Sequence, residues 1–358
     1  MNAPFRVPAD EIASRIAALQ RILPLHRADG ALIAQRIDLF YFTGCAQNAY
    51  LYVPAKGDPL LLVRKYAPRA ADESPLARQE SVESIRQIPD RIRSAHGKTP
   101  RVLGLVWDVL PVREFRFFRR LFSSRAYVDL SPAIHRIRSI KSPWERERIE
   151  ASATLCSMTL RHLEQGIRPG MGATHLEGLA EAFARTHGHG GGIRVRYPEE
   201  NNRSCTLEPG EDVIPRSGPV SLGFRAVQNG YHAERAIVLF PGGERAPASR
   251  EASALAEAHL RMIDHAVPGM PLEALQKLAG AESERLQGEG WIEVSCHGIG
   301  LELYESPRLA EMSEDAIFPG MCLVLETRRQ TDKGLALCAR DTVFVEENRF
   351  RILGNLDT

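Results

Sequence analysis

No stretch of the 358-residue chain approaches the roughly 20 consecutive apolar residues needed to cross a bilayer, so a membrane protein is not expected. Its first residues, Met1-Asn2-Ala3-Pro4-Phe5-Arg6, lack the apolar core that directs secretion. Excess charge of one sign is missing too. Lys and Arg number 46 against 45 Asp and Glu, a net charge of +1, so there is no global pull toward nucleic acid or an anionic membrane. The six cysteines show no C-x-x-C spacing. That argues against a disulfide framework and for reduced, buried thiols in a cytoplasm, with a Cys-rich metal site as the lesser reading for Cys205, Cys296, Cys322 and Cys338. What remains is an ordinary globular composition, 44% hydrophobic and 25% charged, long enough for two domains. The expected partner is a small-molecule substrate.

Along the chain, Ile12, Ile16, Leu19 and Ile22 recur at helical spacing within Pro8–Leu25. Short strands are expected at Gly30–Ala34, Ala49–Pro54 and Pro59–Val63, the last two forming a hairpin across Lys56-Gly57-Asp58. A helix over Ser84–Ala95, a strand over Arg101–Trp107, a basic and aromatic helix over Pro111–Phe122 and a strand at Tyr127–Asp129 complete a mixed α/β first domain. Ser142-Pro143-Trp144-Glu145 is a capping box that opens a long helix to about Glu164. Pro169-Gly170-Met171 and Pro268-Gly269-Met270 each stand between two helical runs, the pattern of an internal duplication. Between them, Val220–Phe224 and Glu234–Phe240 read as strands joined through Asn229-Gly230, a strong hairpin signal.

The densest chemistry is in Ser295-Cys296-His297-Gly298-Ile299-Gly300-Leu301-Glu302-Leu303-Tyr304-Glu305-Ser306-Pro307. Here a His follows a β-type run and precedes two glycines, which bare the backbone to a ligand and permit positive φ. Phe318-Pro319-Gly320-Met321 then turns into Cys322-Leu323-Val324-Leu325-Glu326, where a Glu closes an apolar strand. His and Glu at two strand ends can begin a metal or acid/base site. A buried His beside a glycine turn is the plainer reading of His297 alone.

This string resembles the pita-bread family of creatinase, prolidase and the methionine and Xaa-Pro aminopeptidases, and the resemblance extends over nearly the whole chain. It implies a mixed α+β protein, with an N-terminal creatinase-like α/β domain over residues 1–135. A C-terminal pita-bread domain with a pseudo-two-fold repeat would cover residues 136–358. It also implies a homodimer. Most members hold two metal ions with two Asp, one His and two Glu. Carried over residue by residue, the second Asp position holds Glu234, the His is His297 and the first Glu is Glu326. The first Asp position, eleven residues before Glu234, is Gly223. The bridging Glu of the last motif is Arg340, in Cys338-Ala339-Arg340-Asp341-Thr342-Val343. Gly223 removes one carboxylate, and Arg340 replaces another with a cation that does not deprotonate. No metal and no other cofactor is therefore expected, and Arg340 is expected to pair with Glu234 and Glu326. The alternative places Arg340 in solvent.

Creatinase, which works without metal, is similar at Ser221-Leu222 and Ala233-Glu234-Arg235. On that likeness His297 would be the acid/base, with Glu234 and Glu326 holding cationic substrate groups. Arg340, Tyr304, Tyr231 and Arg216 are the candidate substrate contacts. Tyr304 stands where many family peptidases carry a second His. His232 is assigned to the face of its strand opposite Glu234, as a surface or dimer residue. Arg194, Arg196 and Arg203 around Tyr197–Asn202 suit a carboxylate or amide ligand, or are solvated charge. Three readings result: a metal-independent hydrolase or lyase of a C–N bond, a catalytically silent binding protein, and an Xaa-Pro-type metallo-aminopeptidase.

Overall fold

A computed structural model describes residues 5–192, 195–196, 213–242, 248–286, 290–309, 316–330 and 336–356. The chain forms two compact units, Met1–Arg138 and Ser139–Thr358.

The first unit contains helices α1 (Ala9–Ile22), α2 (Arg36–Thr43), α3 (Ala67–Glu73), α4 (Ile88–His96), α5 (Val112–Phe122) and α6 (Ser131–Ser139). Its strands are β1 (Gly30–Ile33), β2 (Ala49–Pro54), β3 (Leu60–Val63), β4 (Gln79–Ser81), β5 (Val102–Leu105) and β6 (Ala126–Asp129). They form a sheet in the order β4-β3-β2-β1-β5-β6. The expected β2–β3 hairpin is antiparallel, and β5 joins β1 in parallel. Helix periodicity decides the packing. Ile12, Ile16 and Leu19 of α1 are buried, as are Phe118 and Phe122 of α5, while Arg113, Arg116, Arg119 and Arg120 face water. The short elements α3 and β4, and α6 near the expected boundary, carry too little periodicity to be anticipated.

The second unit carries α7 (Pro143–Gly166), α8 (Ala173–Thr186), α9 (Ala248–His265) and α10 (Ala274–Arg285). Its strands are β7 (Val195–Arg196), β8 (Val220–Gln228), β9 (Tyr231–Leu239), β10 (Trp291–Gly298), β11 (Glu305–Arg308), β12 (Cys322–Gln330), β13 (Ala336–Val345) and β14 (Phe350–Ile352). The sheet order is β11-β10-β12-β13-β9-β8-β7, with β14 on β13. The capping box forms as expected: Glu145 N–H donates to Ser142 Oγ, and Ser142 N–H to Glu145. The duplication is visible in the two turns. Gly170 N–H and Met171 C=O grip the backbone of Ile214; Gly269 N–H and Met270 C=O grip Ile317 in the same way. Both glycines have φ near +80 to +90°, which a side chain would oppose.

Asn229 and Gly230 both take positive φ and make the two-residue turn, so Gln228 pairs with Tyr231 and the whole hairpin register follows. One face of the sheet packs on helices. Leu323, Leu325 and Val343 join Met262, Leu272 and Leu275 in one buried cluster. Strand alternation turns Val324, Glu326 and Arg340 to the other face. Cys45, Cys156, Cys296, Cys322 and Cys338 are buried free thiols, and burial pushes Cys296 and Cys322 up to about 12. Cys205, Arg194, Arg203 and the stretch 197–202 lie outside the described residues. No helix among the described residues is long and apolar enough to cross a membrane.

Candidate functional site

Pairing register builds the site. Ser295 faces Glu326, Glu326 faces Arg340, Arg340 faces Ala236 and Ala236 faces Gly223, one row across β10, β12, β13, β9 and β8. Glu234, two residues before Ala236, points from the same face and stands opposite Arg225. Thr342 fixes the Glu234 backbone: its Oγ accepts from Glu234 N–H and donates to Glu234 C=O, at 2.9 Å each.

Arg340 points inward, its side chain 2% exposed. Nη1 stands 3.2 Å from Glu234 Oε2, while Nε donates to Glu326 Oε2 at 2.6 Å and Nη2 donates to the same oxygen. Two further cations flank this pair. Arg225 Nε lies 3.0 Å from Glu234 Oε1, and Arg328 Nε 2.7 Å from Glu326 Oε1. Neither flanking contact has hydrogen-bond geometry; Arg225 Nε, Arg328 Nε and Glu234 Oε1 have no hydrogen-bond partner. They are charge contacts at short range. The result is a chain of alternating charge, Arg225–Glu234–Arg340–Glu326–Arg328.

His297 is buried at the end of β10. Its Nδ1 is 2.9 Å from Gly298 C=O. A carbonyl only accepts, so Nδ1 carries the proton, and a neutral ring leaves a lone pair on Nε2. Burial holds its pKa below the ordinary value, against the pull of Glu234. The Tyr304 ring lies 4.3 Å from the His297 ring, centroid to centroid. Tyr304 Oη accepts from Arg225 Nη2 at 3.2 Å, which leaves its own hydrogen to donate elsewhere.

Several expectations change. Tyr231 is fully buried on the helix-packed face, its Oη donating to Glu145, so it belongs to the core. Arg216 is exposed, and its carbonyl packs against Gly242 beyond the end of β9, away from Glu234. His232 shares the face of Glu234, because residues two apart on a strand point the same way; its Nδ1 lies 3.1 Å from Gly300 C=O. Burial lowers its pKa. Gly298 and Gly300 do not take positive φ, and they admit neighbouring chain rather than ligand. A Cβ on Gly300 would meet the Glu305 carboxylate at 2.8 Å, and one on Gly298 would strike the Ser306 carbonyl. That carboxylate is held by Lys141 Nζ at 2.8 Å. Glu326 lies mid-strand, since β12 runs on to Gln330. Neither Glu is open to a cationic substrate group, because each already faces two guanidinium groups.

Behind the sheet, His259 on α9 joins the residues that follow the two central ion-pair partners. Its Nδ1 is 2.8 Å from Thr327 Oγ and its Nε2 3.2 Å from Asp341 Oδ2. Arg235 Nε stands 3.2 Å from the other Asp341 oxygen, and its Nη1 donates to Ser157. The sequence reading missed Arg225, Arg328 and this clamp. The two-residue Asn229-Gly230 turn already implied that Arg225 faces Glu234, and Arg328 is two residues from Glu326 on the same strand face.

The fold and this row of strands define a pita-bread protein. The chain belongs to metallopeptidase family M24, which matches residues 147–347, and residues 15–140 match the creatinase/prolidase N-terminal domain. It is similar to the Xaa-Pro dipeptidase of Pyrococcus furiosus, 23% identical over 346 residues, covering 93% of this chain and 95% of that protein. A methionine aminopeptidase of Bacillus subtilis is 25% identical over 201 residues, covering 52% of this chain and 79% of that one. Among solved structures, the Xaa-Pro dipeptidase of Bacillus anthracis superposes with a TM-score of 0.85 at 18% identity, covering 96% of this chain and 98% of that one.

The dinuclear metal centre that the resemblance implies does not fit these residues. Divalent cations need several anionic or neutral donors converging on one point. Here a guanidinium stands between the two carboxylates, and Gly223 offers no donor. Among the described residues no group of three or more His, Cys, Asp or Glu is placed to hold a metal ion.

Proposed function

We propose that this protein is a metal-independent hydrolase acting on a C–N bond of a small polar substrate. The observation that carries the reading is Arg340, whose guanidinium lies between Glu234 and Glu326 where the family places metal. His297 then supplies the chemistry. Its Nε2 lone pair takes a proton from water as the oxygen attacks the carbon of the C–N bond. The proton passes to the departing nitrogen, and the hydroxyl stays on the carbon. Tyr304, with its hydroxyl hydrogen free to donate, stabilises the oxyanion. A second reading, binding without turnover, is favoured by the two guanidinium partners of each Glu, which take both carboxylates of the row out of acid/base work.

Hydrolysis of a panel of small amides and peptides in excess chelator tests the proposal. The expected result is turnover that survives chelation and is lost by at least about 100-fold in His297→Gln, the low end for removing a general base. Because the folded pKa of His297 is lowered, Nε2 stays deprotonated down to below about pH 6.5, so the acid limb of the rate should lie below that value. Turnover abolished by chelator, or two equivalents of transition metal retained through dialysis, would sink the reading. Chelator-proof binding with no turnover of any compound would favour the silent binder.

We also propose a homodimer, on the family resemblance, and a cytoplasmic location, on cysteines without disulfide spacing. Light scattering that finds monomer alone at micromolar concentration would remove the first, and a fractionation that finds the protein outside the cytoplasm would remove the second.

A further inference from the structure

Among the described residues the alternating chain has three cations and two anions, and its ends are the accessible members. Arg225 and Arg328 side chains are 19% and 22% exposed, against 2% for Arg340. The two ends differ. Arg328 faces Glu293 directly across β10, so a further carboxylate is at hand. Among the described residues Arg225 faces one carboxylate, Glu234, which it shares with Arg340, and its one hydrogen bond is to a neutral phenol. The surplus positive charge is therefore presented beside Tyr304, which is 43% exposed. Tyr304 in turn touches His297. A cation and a general base both contact one aromatic side chain.

Resting on the hydrolase reading, we infer that the substrate is an N-acylated amino acid, with its carboxylate on Arg225 and its amide beside His297 and Tyr304. A free ammonium is disfavoured at this row. Among the described residues its two carboxylates, Glu234 and Glu326, already face two guanidinium groups each, and a third cation would meet repulsion from Arg225, Arg340 and Arg328. A carboxylate meets the opposite field and a planar fork suited to it. An amide nitrogen carries no charge and pays no such penalty. In the reaction the acyl carbon–nitrogen bond breaks, the acyl carbon takes the hydroxyl of water, and the nitrogen takes its proton.

Calorimetric titration of the full-length protein with three probes tests this. N-acetylglycine has the carboxylate and no ammonium, N-acetylglycinamide has neither, and glycylglycine has both. N-acetylglycine should bind at least about tenfold more tightly than either of the others. Arg225→Gln should lose at least about tenfold in its affinity, and Arg225→Lys, which keeps the charge, should lose less. A melting curve for each variant shows that it is folded. Equal or tighter binding of glycylglycine, no saturable binding of N-acetylglycine, or full affinity in folded Arg225→Gln would each overturn the inference. The two readings fail separately. Arg225-dependent binding of N-acetylglycine without hydrolysis removes the hydrolase and leaves the anion site. Chelator-resistant hydrolysis of N-acetylglycinamide at the rate of N-acetylglycine, unchanged in Arg225→Gln, removes the anion site and leaves the hydrolase.

Discussion

Arg340→Ala is expected to lower the stability of the second unit by about 3–5 kcal/mol, the range for removing one partner of a buried ion pair. The side chain is 2% exposed and, among the described residues, the only cation between Glu234 and Glu326. Without it two carboxylates, 1% and 8% exposed, face each other across a void. Each keeps one outer Arg, which holds the loss within that range rather than above it. For a domain of this size about 1 kcal/mol corresponds to roughly 2–4 °C, so the melting temperature should fall by about 6–20 °C. Guanidinium ion at concentrations too low to denature should recover part of the loss by entering the vacated space, whereas sodium should not. Arg340→Lys should fall between the two, because an ammonium cannot bridge both carboxylates as a planar fork does. A melting temperature within about 2 °C of the parent would mean that Arg340 is held by nothing in particular, and the ion-pair account of the site would go with it.

The second large effect comes from restoring what the row has lost. Gly223 and Arg340 lie in one cross-strand row with Glu326, separated from each other by Ala236. In the double variant Gly223→Asp with Arg340→Glu, four carboxylates share one side of the sheet beside His297. Without metal this variant should be less stable than Arg340→Ala, since like charges are then buried together or take up protons. Manganese or cobalt should reverse the deficit. At about 100 times the dissociation constant, the gain is about 2.7 kcal/mol, or roughly 5–11 °C. Arg340→Glu alone, still lacking a donor at residue 223, should show a smaller metal-dependent shift, and the parent protein none. An equal shift in the parent would mean that Arg340 does not occupy the metal position. No shift in the double variant would show that Glu234, one methylene longer than the family's Asp, spoils the geometry by itself.

Local chemistry in the chain was sufficient for most elements and for the identity of the central residues. The capping box at Ser142, the positive-φ turns at Gly170 and Gly269, and the Asn229-Gly230 hairpin all follow from short-range rules. The same hairpin rule also determined that Arg225 faces Glu234. The two-residue period of a strand put His232 on the face of Glu234, not on the opposite face expected for it. The inward aim of Arg340 depended on more than sequence. Two arrangements were open to it, and the register between β12 and β13 chose one by setting Glu326 directly opposite. Tertiary packing likewise drew Tyr231 into the core against Glu145 and Trp144, and put Arg216 out beside Gly242. It also fitted His259, far along the chain, between Thr327 and Asp341. Residue types and strand period are written locally, so a single sequence specifies which side chains share a strand face. Which strands become neighbours, and therefore which charges neutralise one another, is fixed only when the sheet assembles.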